Sequence, residues 1–221
     1  MEIRIFKTAE EIGVEAAKIF TDAVKANPDC VLGLATGASP IPTYQNIIKT
    51  YNEGGISFKN VKTYNLDEYC DLPKNDKNSY YTFMHEQLFN SLDIKEENVH
   101  FLDGNAKDTE KECARYDAAI EAAGGIDLQV LGIGVNGHIG FNEPADALPA
   151  NTNKVTLTES TIEANSRFFE SKDQVPTAAL TLGIGGIMKA KRIVVLASGK
   201  SKAPIIKELF YGKVTTNVPV S

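Results

Sequence analysis

The sequence predicts an α/β fold: a doubly wound, mostly parallel sheet flanked by helices, Rossmann-like and built as a single domain. Three observations predict it. Short β-rich runs alternate with amphipathic runs along the whole length, several of the β-rich runs are apolar on both faces as buried parallel strands require, and no linker, repeat or low-complexity stretch divides the chain. A length of 221 residues with 43% hydrophobic content can bury one large core.

The elements follow in order. Residues 2–6 (EIRIF) read as a strand. Thr8 with Glu11 makes a capping-box signature, and Ile12, Ala16, Ile19, Phe20, Ala23 and Val24 then recur at helical spacing until Asn27-Pro28 ends the helix. Further strands are expected at 31–35 (VLGLA), 61–66 (VKTYNL), 99–102 (VHFL), 128–133 (LQVLGI), 154–158 (KVTLT) and 192–198 (RIVVLAS), with helices at 41–53, 79–90, 108–123 and 201–211. Right-handed crossovers put ligands beyond the carboxyl ends of such strands. The chemistry is therefore expected in TGASP (36–40), DEYCDLP (67–73), GVNGHIGFNEP (134–144) and SGKSK (198–202).

Composition narrows the partners. A formal charge of -6 without a long basic run argues against nucleic acid. No apolar stretch approaches the ~18 residues of a membrane span, and the N-terminus has no basic-then-apolar leader, so a soluble, cytoplasmic protein without a membrane partner is expected. Cys30, Cys70 and Cys113 are odd in number and lack CxxC spacing, which reads as free thiols.

Two glycine motifs fail on inspection. Gly132 to Gly137 matches G-x-G-x-x-G after a strand, but Gly140 and Pro144 stand where a helix should propagate, and no acid follows at the required distance. SGKS (198–201) lacks the earlier glycine of a phosphate loop because position 194 is Val. The segment Thr36 to Pro40 offers small residues and free N–H groups that can hold an anion at a helix start; a plain turn with Ser39 as N-cap is the other reading. Asp67 and Glu68 stand at a strand end, one aimed at each face. Either a carboxylate there takes a proton from carbon beside a carbonyl, or the segment is a solvated acidic loop.

His138, in a loop with Asn136 and Glu143, can pass protons when a carboxylate orients and charges it. His85 sits in an aromatic helical run and His100 in a strand, which fits structural roles. The scattered histidines give no metal-ligand spacing, and there is no G-x-S-x-G elbow. Acid–base chemistry on a small anionic substrate is what the residues leave.

Taken together, LATGASPIPTYQ, YNLDEYCDLP, NSYYTFM, GIGVNGHIGFNEP, NSRFF and QVPTAALTLGIGGIMKA resemble the glucosamine-6-phosphate deaminase (glucosamine-6-phosphate isomerase) family, in order across nearly the whole chain. The resemblance implies one sugar-phosphate deaminase/isomerase domain over 1–221. It implies conversion of glucosamine 6-phosphate and water to fructose 6-phosphate and ammonium, with no metal or organic cofactor. Asp67 matches the base that removes the C2 proton and returns one at C1. His138 matches the ring-opening group, with Glu143 as its partner and Asn136, where some members carry Asp, orienting the imidazole. The phosphate is expected on the backbone of Gly37, Ala38 and Ser39, completed by Arg167 and Lys200. The final VTTNVPVS stops where members usually continue through another short segment and strand, and longer members use later residues for assembly and allosteric activation. A monomer or small homo-oligomer without strong activator dependence is therefore expected. The neighbouring expectations are a 6-phosphogluconolactonase, whose reaction has no need of Asp67, and a sugar-phosphate sensor, which need not keep Asp67, His138 and Glu143 together.

Overall fold

The computed structural model describes residues 2–221. Five strands form the main sheet: β1 (Val31–Leu34), β2 (Lys62–Asn65), β4 (Val99–His100), β5 (Leu128–Gly132) and β8 (Arg192–Leu196). All their pairings are parallel, in the order β4-β2-β1-β5-β8. A second sheet of three antiparallel strands, β3-β7-β6, joins β3 (Asp67–Tyr69), β7 (Ala178–Thr181) and β6 (Asn153–Thr156). From β1 the chain moves outward through β2 to β4 on one side and through β5 to β8 on the other. The winding direction therefore reverses between β1 and β5, where an open α/β sheet leaves a crevice.

The helices are α1 (Ala9–Ala26), α2 (Ile41–Asn52), α3 (Tyr80–Gln87), α4 (Thr109–Ala122), α5 (Glu159–Ser166), α6 (Ile184–Met188) and α7 (Ala203–Tyr211). The capping box at α1 is present, with Glu11 N–H on Thr8 Oγ1 at 3.1 Å and Thr8 N–H on Glu11 Oε2 at 3.1 Å, a motif that stabilises a helix start by about 1 kcal/mol. Phe20, Tyr44, Ile47, Val130 and Leu131 are buried in the main core. Tyrosine hydroxyls fasten α4 to the sheet: Tyr64 donates to the Ala119 carbonyl at 3.0 Å and Tyr116 to the Asn65 carbonyl at 2.7 Å. Cys30, Cys70 and Cys113 are buried and unpaired, and among the described residues no helix is long and apolar enough to cross a membrane.

The structure corrects several sequence expectations. Residues 2–6 form no strand: Ile3 and Ile5 are 54% and 91% exposed, and Arg4 closes a local ion cluster with Glu2 and Glu15 in place of a ladder. The run 154–158 belongs to the second sheet, not to the main one. Neither β7 nor α6 was foreseen, because the four residues AALT without turn markers and a five-residue IGGIM helix fall below what periodicity resolves. The helix α5 was missed as well, since ESTIEANS carries little apolar periodicity. Ser39 does not cap α2; its N-cap is Pro40, and no side chain bonds to the helix start.

Candidate active site

Three segments meet at the crevice. After β1, the Tyr44 hydroxyl of α2 donates to the Ala35 carbonyl at 2.6 Å and accepts the Ala35 N–H at 3.2 Å, pinning the entry to residues 36–40. The end of this loop reaches β5, because a Cβ added to Gly132 would lie 3.9 Å from Ser39 Oγ. Gly37 and Ala38 are exposed and Ser39 is half-buried. With no side-chain cap on α2, the first-turn N–H groups and the positive dipole end stay available to an anion.

β2 runs through Leu66 directly into β3, which delivers Asp67 and Glu68 to opposite environments. Both are 6% exposed, which excludes the solvated acidic loop. Glu68 accepts the backbone N–H groups of Tyr69, Tyr80 and Tyr81, each at 2.9 Å, so it serves as the anion at the start of α3. Asp67 has no such company. Its Oδ1 is buried without a hydrogen-bond partner, and burial, then the neighbouring Glu68 charge, push its carboxyl up to about 8. A carboxylate kept dry and unpartnered at a strand end is poised to exchange a proton near neutral pH.

The loop after β5 folds back on itself through Gly134 N–H on the His138 carbonyl at 2.9 Å and Gly137 N–H on the Gly134 carbonyl at 3.1 Å. A side chain at Gly134 would land on the His138 ring, and Gly137 has a φ of +88° that a Cβ disfavours. No helix follows, so the G-x-G-x-x-G run does not serve as a dinucleotide fingerprint. The C-terminal residues clamp the loop: Val220 N–H bonds to the Gly137 carbonyl at 3.0 Å, and Ala145 N–H to the Thr216 carbonyl at 3.3 Å.

Within this loop His138 Nδ1 lies 3.3 Å from Glu143 Oε1. The Asn136 amide donates to Glu143 Oε2 at 2.7 Å, while its Oδ1 accepts the His138 backbone N–H at 3.2 Å. Asn136 thus orients the carboxylate and the loop backbone, not the imidazole as expected. The His138 ring beside it holds the Glu143 carboxyl below the usual range, helped by hydrogen bonds from Asn136 and Thr161. Thr161 of α5 was missed by sequence reasoning; it donates to Glu143 Oε1 at 3.2 Å, and the hydroxyl-rich LTEST was its only trace. The loop also meets the Asp67 segment, since Gly140 packs on Leu66 and on Thr181, the ladder partner of Asp67. The loop that carries Asn136, His138 and Glu143 thus packs against the segment that carries Asp67, and the two segments form one wall.

The two cations stand apart from that wall. Arg167 caps the C-terminus of α5, exposed, with its guanidinium 4.7 Å from the Phe168 ring. Lys200 is exposed at the start of a 3-10 turn (Lys200–Lys202) just beyond β8. Neither has an ion-pair partner among the described residues, and nothing in the structure ties either one to residues 37–39.

Fold and site define an α/β protein with an acid–base constellation, Asp67 and the His138–Glu143 pair, beyond the carboxyl ends of its strands. Residues 6–221 match the model of the glucosamine-6-phosphate isomerase/6-phosphogluconolactonase family, and the chain belongs to that family. It is 52% identical over 221 residues to a glucosamine-6-phosphate deaminase of Thermoanaerobacter sp. (strain X514), covering 100% of this chain and 87% of that one. It is 49% identical over the same span to that of Clostridium perfringens (strain SM101 / Type A), covering 91% of the relative. Among solved structures, a monomeric glucosamine-6-phosphate deaminase superposes with a TM-score of 0.96 at 44% identity, over 100% of this chain and 91% of that one. A 6-phosphogluconolactonase from Thermotoga maritima shares the fold, with a TM-score of 0.77 at 20% identity over 98% and 90% of the two chains.

Proposed function

We propose that this chain converts glucosamine 6-phosphate and water into fructose 6-phosphate and ammonium, with Asp67 as the carbon base and His138–Glu143 as the ring-opening pair. The observation that carries the assignment of roles is the buried, unpartnered Asp67 Oδ1 on the same wall as a carboxylate-held imidazole. Identity of 44–52% to deaminases over the whole chain supports the reaction.

The phosphate docks at the uncapped start of α2, beside Gly37, Ala38 and Ser39, with Lys200 and Arg167 closing on it. His138 delivers a proton to the ring oxygen and receives one from the anomeric hydroxyl, and Glu143 at 3.3 Å from Nδ1 holds the ring in place. In the open aldose Asp67 takes the proton from C2 while the C2 ammonium passes one proton to the C1 oxygen, leaving a neutral enolamine across C1 and C2. Returning that proton to C1 gives a ketiminium at C2, which water hydrolyses to the ketone and ammonium. A cationic amine brought beside Asp67 favours its ionised form, so substrate binding readies the base.

Release of ammonium from glucosamine 6-phosphate, measured with a coupled dehydrogenase, tests the reading. No ammonium, with hydrolysis of 6-phosphogluconolactone instead, overturns it. The solved relative is monomeric, and a monomer or small homo-oligomer in the cytoplasm is the working form proposed for this chain, to be checked by sedimentation.

A further inference from the structure

Glu143 is held from three sides. His138 and Asn136 reach it from its own loop, at 3.3 Å to Oε1 and 2.7 Å to Oε2. The third donor, Thr161 Oγ1, comes from α5 and reaches Oε1 at 3.2 Å. A cavity of about 190 Å³ opens beside the carboxylate, lined by Phe141, Pro144, Leu148, Val155 and Thr158. Packing alone therefore leaves Glu143 room to turn away from the imidazole. Resting on the functional reading above, we infer that Thr161 is a positioning residue: its hydroxyl holds Glu143 against His138 and makes ring opening depend on α5 being docked.

The helix itself does not need that hydroxyl. The cap of α5 uses the Thr161 backbone N–H, which donates to Thr158 Oγ1 at 3.2 Å, and this bond is unaffected by the side chain at 161. The Thr158 hydroxyl also lies 2.9 Å from Thr161 Oγ1 and orders the rotor toward the loop. Among the described residues, the charged groups around the pair are few. Glu143 faces His138, while on α5 Glu159 and Glu163 are both taken by Lys172, and Arg167 stands at the far end of the helix. Among the described residues Thr161 is thus the one polar contact between α5 and the Asn136–His138–Glu143 cluster. A hydroxyl donated to a carboxylate is a charge-assisted bond with a clear geometric preference, suited to registering one segment on another.

The test compares Thr161→Val, which keeps shape and removes the hydroxyl, with Thr161→Ser, which keeps the hydroxyl, both in the full chain. Carboxyl ¹³C NMR follows the titration of Glu143 in the unliganded protein, with Glu143→Gln supplying the assignment. The Val variant is expected to raise the Glu143 midpoint by about one unit, a tenfold loss of acidity. Its kcat on glucosamine 6-phosphate should fall about tenfold, with KM unchanged. Because Glu143 must be ionised, the acid limb of kcat/KM should move to higher pH. Proton exchange at C1 of fructose 6-phosphate with ammonium, which depends on Asp67, should stay as in the unsubstituted chain. The Ser variant should restore both titration and kcat. A Val variant that titrates and turns over normally overturns the inference, and so does a Ser variant that behaves like Val. The titration needs no turnover, so failure of the unsubstituted chain to release ammonium counts against the functional reading alone.

Discussion

The wall of the site and the segment that faces it are built on different principles. Residues 134–146 are fixed by main-chain bonds to themselves and to the C-terminal residues, and Ile205 and Val218 pack against Gly137. Asp67 on β3 is fixed in the same manner, by its register with Thr181. Residues 159–170 instead attach through side chains: Ile162 and Phe169 are only partly buried, Phe168 is 57% exposed, and Thr161 makes one bond to Glu143. Groups that move protons must keep sub-ångström relations, and backbone ladders supply that. The cation proposed for the substrate's phosphate, Arg167, stands instead on the segment held by side chains.

Substitutions on the two sides should therefore fail differently. The largest effect is expected from Asp67→Asn, which should lower kcat by about 10³-fold or more and abolish solvent deuterium incorporation at C1 of fructose 6-phosphate, since the amide cannot accept the proton. Normal exchange would remove Asp67 from its role. The same variant carries a stability signature. The folded pKa of Asp67, about 8, lies above the ordinary carboxylate value, so the native state holds its proton more tightly than the unfolded chain does. That contribution is present at low pH and is lost as pH rises from the carboxylate range through about 8. The difference in Tm between Asp67→Asn and the unsubstituted chain should consequently grow in favour of Asn between pH 4 and 9; a flat difference would refute the buried, unpaired state.

Next comes His138→Gln, expected to reduce turnover of glucosamine 6-phosphate by about 10²-fold while leaving C1 exchange in the ketose largely intact. If exchange were lost as completely as in Asp67→Asn, with binding retained, ring opening and enolisation would not be divided as described. On the segment held by side chains, Arg167→Ala should raise KM about tenfold, the worth of a charge-assisted bond, with Tm unchanged; Lys200→Ala, beyond β8, should act alike. Normal KM in both would detach these cations from the phosphate.

The smallest catalytic change with a clear structural cost should come from Gly137→Ala. A left-handed conformation costs a non-glycine residue about 1–2 kcal/mol, and the new methyl would lie 3.0 Å from Val218 Cγ1. A fall in Tm of several degrees alongside intact KM would mark the clamp as structural. An unchanged Tm would mean that the C-terminal residues do not brace the loop.

Much of this molecule is local information. The capping box at Thr8 and Glu11, the parallel strands around VLGLA and LQVLGI, and the candidate residues in NLDEY and GHIGFNEP are all carried by neighbours in the chain, and their periodicity or spacing is visible without coordinates. The EIRIF segment shows the limit, because alternation specifies a strand only where a ladder partner exists, and this segment has none among the described residues. Two of the three strands of the second sheet were illegible for the same reason: β3 and β7 are three and four residues long, and only their pairing makes them strands.

The sequence by itself determined the fold class, the starts of α1 to α4 and which titratable residues stand at the strand ends. Tertiary structure alone decided what those residues feel. Asp67 and Glu68 are adjacent acids of the same kind, yet one keeps Oδ1 buried and unpartnered while the other accepts three N–H groups, from Tyr69 of β3 and from the start of α3. Likewise, Thr161 gains its part only because α5 lies over Glu143. Burial and hydrogen-bond geometry are sums over atoms brought together from distant stretches of chain, so a carboxylate's proton affinity is a property of the folded surroundings and not of the residue type.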